Sequence, residues 1–182
     1  MKRFSYFALS LVLGASVAPA QYRAGLSSVG GTFDFSLPDS GPKSLTIAPS
    51  YSYSLSEKLA IGAEMVFSGE GELRMFGVAP FVRGNLPIND RAGLYAGAAP
   101  VFMQLQLGES FGDDVTGNAF GLTLGVGLYY WISQHFSVEL ALADLTFLNT
   151  TIDVGSSEVA DESDFSGSLN PAASSLSVFY HF

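Results

Sequence analysis

The sequence predicts an all-β chain, an eight-stranded antiparallel up-and-down transmembrane β-barrel, and three observations carry that expectation. Long stretches alternate strictly between apolar residues and small or polar ones, the period of a strand with two unlike environments. After residue 20 there is no run of 18 apolar residues. Two long uncharged stretches, 92–108 and 117–132, are studded with glycine, and Pro100 interrupts the first, which opposes a helix. The chain also finishes on a strand. Leu176, Val178, Tyr180 and Phe182 share one face, Ser177 and His181 the other, with Phe179 as the exception. A flat apolar strand at an open edge invites aggregation. Closing the sheet inside a bilayer removes the edge and gives the apolar face to lipid.

The elements follow in order. Residues 22–37 form the first strand, with Val29, Phe33, Phe35 and Leu37 outward and Gly30, Thr32, Asp34 and Ser36 inward. Turn chemistry makes 38–43 (PDSGPK) a loop. In 44–55, Leu45, Ile47, Pro49, Tyr51, Tyr53 and Leu55 alternate with Thr46, Ala48 and three serines. After a tight turn at Ser56, the third strand (58–68) puts Leu59, Ile61, Ala63, Met65 and Phe67 outward. Residues 69–72 turn the chain. The fourth strand (73–85) has Phe76, Val78, Pro80 and Val82 out and Phe81 and Arg83 in, before a turn at 87–90.

The fifth strand (91–107) gives two answers. Tyr95, Gly97 and Ala99 suggest one inward phase, Gln104 and Gln106 the other, and a bulge near Pro100 would reconcile them. An acidic loop is expected over 108–117. In 118–132 the pattern is clean again, with Phe120, Leu122, Leu124, Val126, Leu128 and Tyr130 outward. A turn at 133–135 leads to 136–148, where Phe136, Val138, Leu140 and Leu142 face out and the phase slips at Asp144. A polar loop is expected over 149–168, and the eighth strand ends at Phe182. The eight strands each approach the roughly 10 residues that a tilted strand needs to cross the hydrocarbon. The connections mostly alternate short and long, as short periplasmic turns and longer outer loops do. Outward aromatics collect at both ends: Tyr53, Tyr130, Phe136, Tyr180 and Phe182 beside the periplasmic turns, Phe33, Phe67, Phe76 and Phe120 beside the outer loops.

Composition and the amino terminus fit export. With 48% hydrophobic and 14% charged residues the chain is too apolar for disorder. Lys2-Arg3, an apolar run over 7–17 and Ala18-Pro19-Ala20 read as a signal peptide, residues 1–20, removed before Gln21; the barrel domain is 21–182. No cysteine follows the cleavage site, so no lipoprotein anchor is expected, and the chain has no cysteine for a disulfide or thiolate site. The formal charge is −9, and no Lys or Arg follows Arg91, so nucleic acid is not an expected partner. A lipocalin-like barrel would invert the faces, but Ser50, Ser52, Ser54, Thr123 and Gly125 cannot line a lipid pocket. Their partner phase would then be a large apolar surface in water.

The alternating strand that ends on Phe182 and three strand–turn–strand passages carry a resemblance. YSYSLSEKLAIGAE, APFVRGNLPINDRAGLYAGA and GLYYWISQHFSVELALA resemble segments of the small outer-membrane β-barrel family of OmpA/OmpX architecture. The resemblance spans the mature chain. It implies a Gram-negative outer membrane, lipid as a partner, and insertion by the barrel assembly machinery, which reads the last strand. Leu176, Val178, Tyr180 and Phe182 would be that signal. Unlike in the OmpA subset, no peptidoglycan-binding domain is expected beside the barrel.

Candidate chemistry is sparse. Glu64, Arg83 and Glu139 are the inward charges, and an Arg83–Glu139 pair is expected across the lumen, with Glu64 as an alternative partner. Such a pair is either structural, neutralising a buried carboxylate, or a gate in a narrow water path. Acidic residues crowd the expected outer loops, among them Asp113, Asp114, Asp161, Glu162 and Asp164, without the spacing of a calcium loop. No metal or cofactor is expected. His135 and His181 both fall at the periplasmic end, and neither HExxH nor a nucleophile elbow occurs, so no enzyme is expected. Three functional readings remain: a structural or surface-interacting barrel, a small porin-like channel, and a periplasm-facing lipid enzyme.

Overall fold

The computed structural model describes residues 22–36, 44–70, 73–107, 115–154, 157–168 and 175–182. The proposed leader, the loop at 38–43 and most of the loop at 108–117 lie outside them. Nine strands are formed: β1 Ser27–Ser36, β2 Ser44–Ser54, β3 Leu59–Glu70, β4 Leu73–Pro87, β5 Ala92–Leu107, β6 Val115–Trp131, β7 Phe136–Val154, β8 Ser157–Ser168 and β9 Leu176–His181. Each of β1 to β7 pairs antiparallel with the next. The carboxy-terminal β9 pairs with β7 on one side and β1 on the other, closing a ring of eight staves. At the seam Ser27 and Phe182 exchange backbone hydrogen bonds of 3.0 and 2.9 Å.

The alternation read from the sequence is the division between outside and lumen. Leu45, Ile47, Leu122, Leu124, Val126, Phe136 and Tyr180 are among the exposed apolar side chains, whereas Ser28, Ser50, Ser52, Ser54, Arg83, Ser137, Glu139 and His181 are buried. The lumen is a polar core. Hydroxyls pair across neighbouring strands there, as in Thr32–Ser177 at 2.6 Å and Thr123–Thr146 at 3.0 Å. Outside, Phe67 packs on Phe76 and Phe102 on Phe120 at one end, and Phe136 and Phe182 flank Tyr180 at the other. From Phe120 to Tyr130 a strand climbs about 33 Å, which at a tilt of about 40° spans about 25 Å, the height of a barrel's apolar band.

The short turns share one construction. Ser56, Asn89 and Ser133 each stand at the corner, and each side-chain oxygen accepts backbone N–H groups two or three residues on. These turns and the terminus Phe182 mark the periplasmic end.

Four expectations are corrected. The first strand begins at Ser27, not at residue 22; residues 22–26 form a turn instead. Over 149–154 and 157–168 there is strand rather than loop, since β7 runs to Val154 and β8 pairs with its upper half, Asp144–Val154. Thus β8 and β9 together line one edge of β7. The β5 bulge is absent: β5–β6 pairing is continuous from Ala92 to Gln106, and Gln104 and Gln106 point outward. Pro100 is accommodated differently. It faces Pro80 across the β4–β5 seam, and pairing there lapses between Val78↔Phe102 and Val82↔Ala98 because neither proline has an N–H to donate. The phase slip in β7 is real, but it sits at Leu142: Val126 pairs with Ala143 and Gly127 with Ala141, leaving one extra residue.

Leu124 tests the lipid-facing assignment. Leu124→Arg is expected to destabilise the refolded protein in lipid vesicles by about 2–4 kcal/mol, the range for a cation at mid-bilayer on a barrel's outer face. Urea titration followed through the single Trp131 measures it. An unchanged midpoint would mean that this face does not meet hydrocarbon.

Candidate functional site in the periplasmic half of the lumen

Three strands and the turn before β1 build the centre of the lumen. Arg83 projects inward from β4 and Glu139 from β7. Both oxygens of Glu139 accept from Nη1 of Arg83, at 2.8 Å to Oε1 and 2.7 Å to Oε2. Both side chains are buried. The third member is Tyr22. Its hydroxyl donates to Oε1 of Glu139 at 2.9 Å and accepts from Nη2 of Arg83 at 2.6 Å. The guanidinium also lies over the rings of Tyr22 and Tyr95, 5.2 and 5.3 Å from their centroids. Such a group loses its water without leaving a charge alone: Nη1 serves both carboxylate oxygens, Nη2 donates to Tyr22, and aromatic faces cover the guanidinium, whose buried Nε has no partner among the described residues.

Tyr22 reaches the lumen because the chain folds back before β1. Gly25 takes φ of 86°, a left-handed conformation open to glycine, and its N–H donates to the carbonyl of Ser54. Tyr22, only 4% exposed, then lies edge-on to Tyr129, Trp131 and His181, each ring centroid 5.2–5.8 Å away. Sequence reasoning missed this residue. A signal was present: continuing β1 back to residue 22 would put Arg23 on the lipid face and the bulky Tyr22 and Leu26 in the small inward phase.

Beneath Tyr22 the barrel is sealed by His181. Its Nδ1 is 2.6 Å from Ser28 Oγ and its Nε2 2.7 Å from Ser137 Oγ, and the Trp131 ring lies 4.1 Å from its own. With both nitrogens engaged and 1% of the residue exposed, His181 is a strut between β1, β7 and β9. His135 lies outside, its Nδ1 3.0 Å from the His181 carbonyl.

Glu64 is not brought to Arg83. It stands on β3 opposite Ser50, four residues beyond the Ala60↔Arg83 pair, about 13 Å along the strand. No cation among the described residues pairs with it. It lines a cavity of about 280 Å³ that extends down to Arg83 and Glu139, with Ser50, Thr32, Thr123 and Ser177 on its walls. Leu176, Val178, Tyr180 and Phe182 form an exposed stripe on the outside of β9. Among the described residues no group of three potential metal ligands occurs; Asp113 and Asp114 lie outside those residues.

Comparison with known proteins agrees with this architecture. The N-terminal β-barrel domain of Pseudomonas aeruginosa OprF superposes with a TM-score of 0.62 at 10% identity, covering 88% of this chain and all of that one. OprG of the same organism gives 0.55 at 12% identity, covering 89% and 98%. Ail, the attachment invasion locus protein of Yersinia pestis, gives 0.50 at 16% identity, covering 87% and 99%. No curated protein sequence matches significantly. The family described as outer membrane protein beta-barrel domain matches residues 5–182. The chain is a member of that family, an eight-staved β-barrel of the outer membrane.

Proposed function

We propose that this barrel is a structural and surface-interacting protein of the outer membrane whose lumen does not conduct. The observation that carries this reading is the insertion of Tyr22 into the Arg83–Glu139 pair. An eight-stranded barrel is about as wide as the side chains that fill it. Here the periplasmic half is filled by Tyr22, Tyr95, Tyr129, Trp131 and His181, packed around one ion pair. Water and ions would have to pass an aromatic layer that the chain's own amino-terminal segment completes. Contact with the outside then falls to the acidic segments at the outer end, whose ligand is a separate question. Lipid is the barrel's solvent and the assembly machinery its delivery route, with the β9 stripe as the recognised signal.

The channel reading needs the pair to part. Breaking it would strand a guanidinium among aromatic rings while Glu64 stays roughly 13 Å away along the strand. The lipid-enzyme reading needs an accessible nucleophile. Ser28 and Ser137 are buried, and no carboxylate among the described residues touches His181.

Planar-bilayer recording tests the plug. The wild-type chain is expected to be silent and Tyr22→Ala to show discrete openings; openings of the same size in both would refute the closed reading. The pair itself is tested by stability. Glu139→Ala is expected to lower the unfolding free energy by about 3–5 kcal/mol by leaving Arg83 buried alone, and Arg83→Met with Glu139→Leu to recover most of it. Urea midpoints of the three proteins decide. For the delivery signal, removing Phe182 is expected to reduce the heat-modifiable, folded form in outer membranes several-fold without changing refolding into detergent; equal yields in cells would dismiss it.

A further inference from the structure

Glu64 is an inward carboxylate that neither the wall nor the plug neutralises. It sits on a rung that runs through Phe179, Gly30, Ser50, Glu64 and Ala79, from β9 across β1, β2 and β3 to β4. No cation among the described residues pairs with it. Lys43 is the one basic residue after the proposed leader that lies outside them. It adjoins Ser44, which stands opposite Glu70, six residues or roughly 20 Å along β3 from Glu64 and beyond the reach of a lysine side chain. Ser50, the cross-strand partner of Glu64, is 6% exposed, and its Oγ has no hydrogen bond among the described residues. A buried hydroxyl left without a partner is costly. Both residues line the same cavity of about 280 Å³.

We propose that this cavity binds a small primary ammonium ion, its nitrogen at Glu64 and Ser50 and its alkyl stem against Phe81 and Phe179. The room comes from small inward residues on the facing wall, Gly97, Ala99, Gly125 and Ala141. The near wall is apolar, because the rings of Phe81 and Phe179 fill the space that Gly62 and Gly30 leave by lacking a Cβ. A primary ammonium carries three N–H donors and no acceptor, which suits a carboxylate beside a hydroxyl oxygen. Phenyl faces favour the methylenes next to a positive charge. Water could satisfy Ser50 but would leave the carboxylate charge unmatched in a narrow lumen. At the other end of the cavity Glu139 is already engaged by Arg83, so Glu64 is the carboxylate open to a ligand. A metal ion would want more oxygen ligands than one carboxylate and one hydroxyl, and no group of three potential metal ligands occurs among the described residues. A chain of formal charge −9 draws cations toward it. Entry from the outer end rests on the closed reading of the lumen; the pocket itself does not.

The test uses the whole mature chain refolded in dodecyl maltoside, a detergent without an ammonium group, and titrated calorimetrically with n-pentylammonium chloride. The amine is expected to bind, and n-pentanol, the same stem without the charge, to bind about tenfold more weakly or not at all. Glu64→Gln is expected to weaken the amine about tenfold, the scale of one charged hydrogen bond, without lowering the urea midpoint, since it removes an unpaired inward charge. Ser50→Ala is expected to weaken it several-fold. Glu57→Gln, an exposed carboxylate in a periplasmic turn, should change nothing. Gly125→Val keeps Glu64 but fills the cavity, and is expected to abolish binding; a Cβ there meets nothing nearer than the Ala143 carbonyl at 3.9 Å. Equal binding of amine and alcohol, equal affinity of the wild type and Glu64→Gln, or displacement of the amine by sodium ion at equal concentration would overturn the site. Calorimetry reads the pocket and bilayer conductance the plug, so the two readings fail separately.

Discussion

Hydrocarbon offers no partner to a peptide group, and the rest of this structure depends on that constraint. A sheet in a bilayer must meet itself. Here the meeting is made by β1 and β9, with Ser28–Thr32 against His181–Ser177 and Ser27 bonded to the terminal residue. Closure in turn fixes two environments for every strand. One face is in lipid and must be apolar. The other is enclosed in a space one side chain wide and must satisfy its own polar groups. The serine–threonine pairs, the Ser28–His181–Ser137 strut and the Arg83–Glu139–Tyr22 cluster are separate solutions to that second demand.

The same constraint explains what was legible in the sequence. Residues 44–54, 59–68 and 118–131 cross the hydrocarbon, so lipid enforced their alternation, and each side chain's direction could be read. Where a strand leaves the membrane the enforcement ends. Residues 157–168, SEVADESDFSGS, do not alternate by polarity; more than half of β8 pairs with Asn149–Val154, at or above the level of Phe120, and only its last residues reach down into the apolar band. It therefore looked like loop, although its backbone pairs with β7 throughout. Gln104 and Gln106 misled for the same reason. They obey the phase of β5 but stand above the apolar band, so polarity at those positions reports height rather than inward direction.

The centre of the site was legible only in part. Arg83 and Glu139 could be found because a charge in a lipid-bounded strand must point inward and needs an opposite. Tyr22 could not be found that way, since it lies before the first strand and arrives through a turn set by Gly25. The proline seam was visible as residues but not as a pair: only the register shows that Pro80 and Pro100 meet, so that the lapse falls in one seam, while β3–β4 and β5–β6 pair through those positions.

The position of Tyr22 also bears on what the ion pair is for. A gate and a strut contain the same two charges; they differ in whether a second arrangement lies within reach. Tyr22 joins the pair through one hydroxyl that both donates and accepts, so parting Arg83 from Glu139 breaks the hydroxyl's bonds as well. Its ring is held edge-on by three others, two of them from β6 and one from β9. Movement of the guanidinium thus entails moving the turn at 22–26 or repacking the layer that seals the periplasmic end. Glu64, the alternative partner that the sequence offered, is separated from Arg83 by two pleats of β3. A pair held by a third hydroxyl beneath an aromatic lid has the geometry of a fixed part of the wall's interior, and that geometry, which a bare Arg–Glu contact would lack, is what the proposed closed reading rests on.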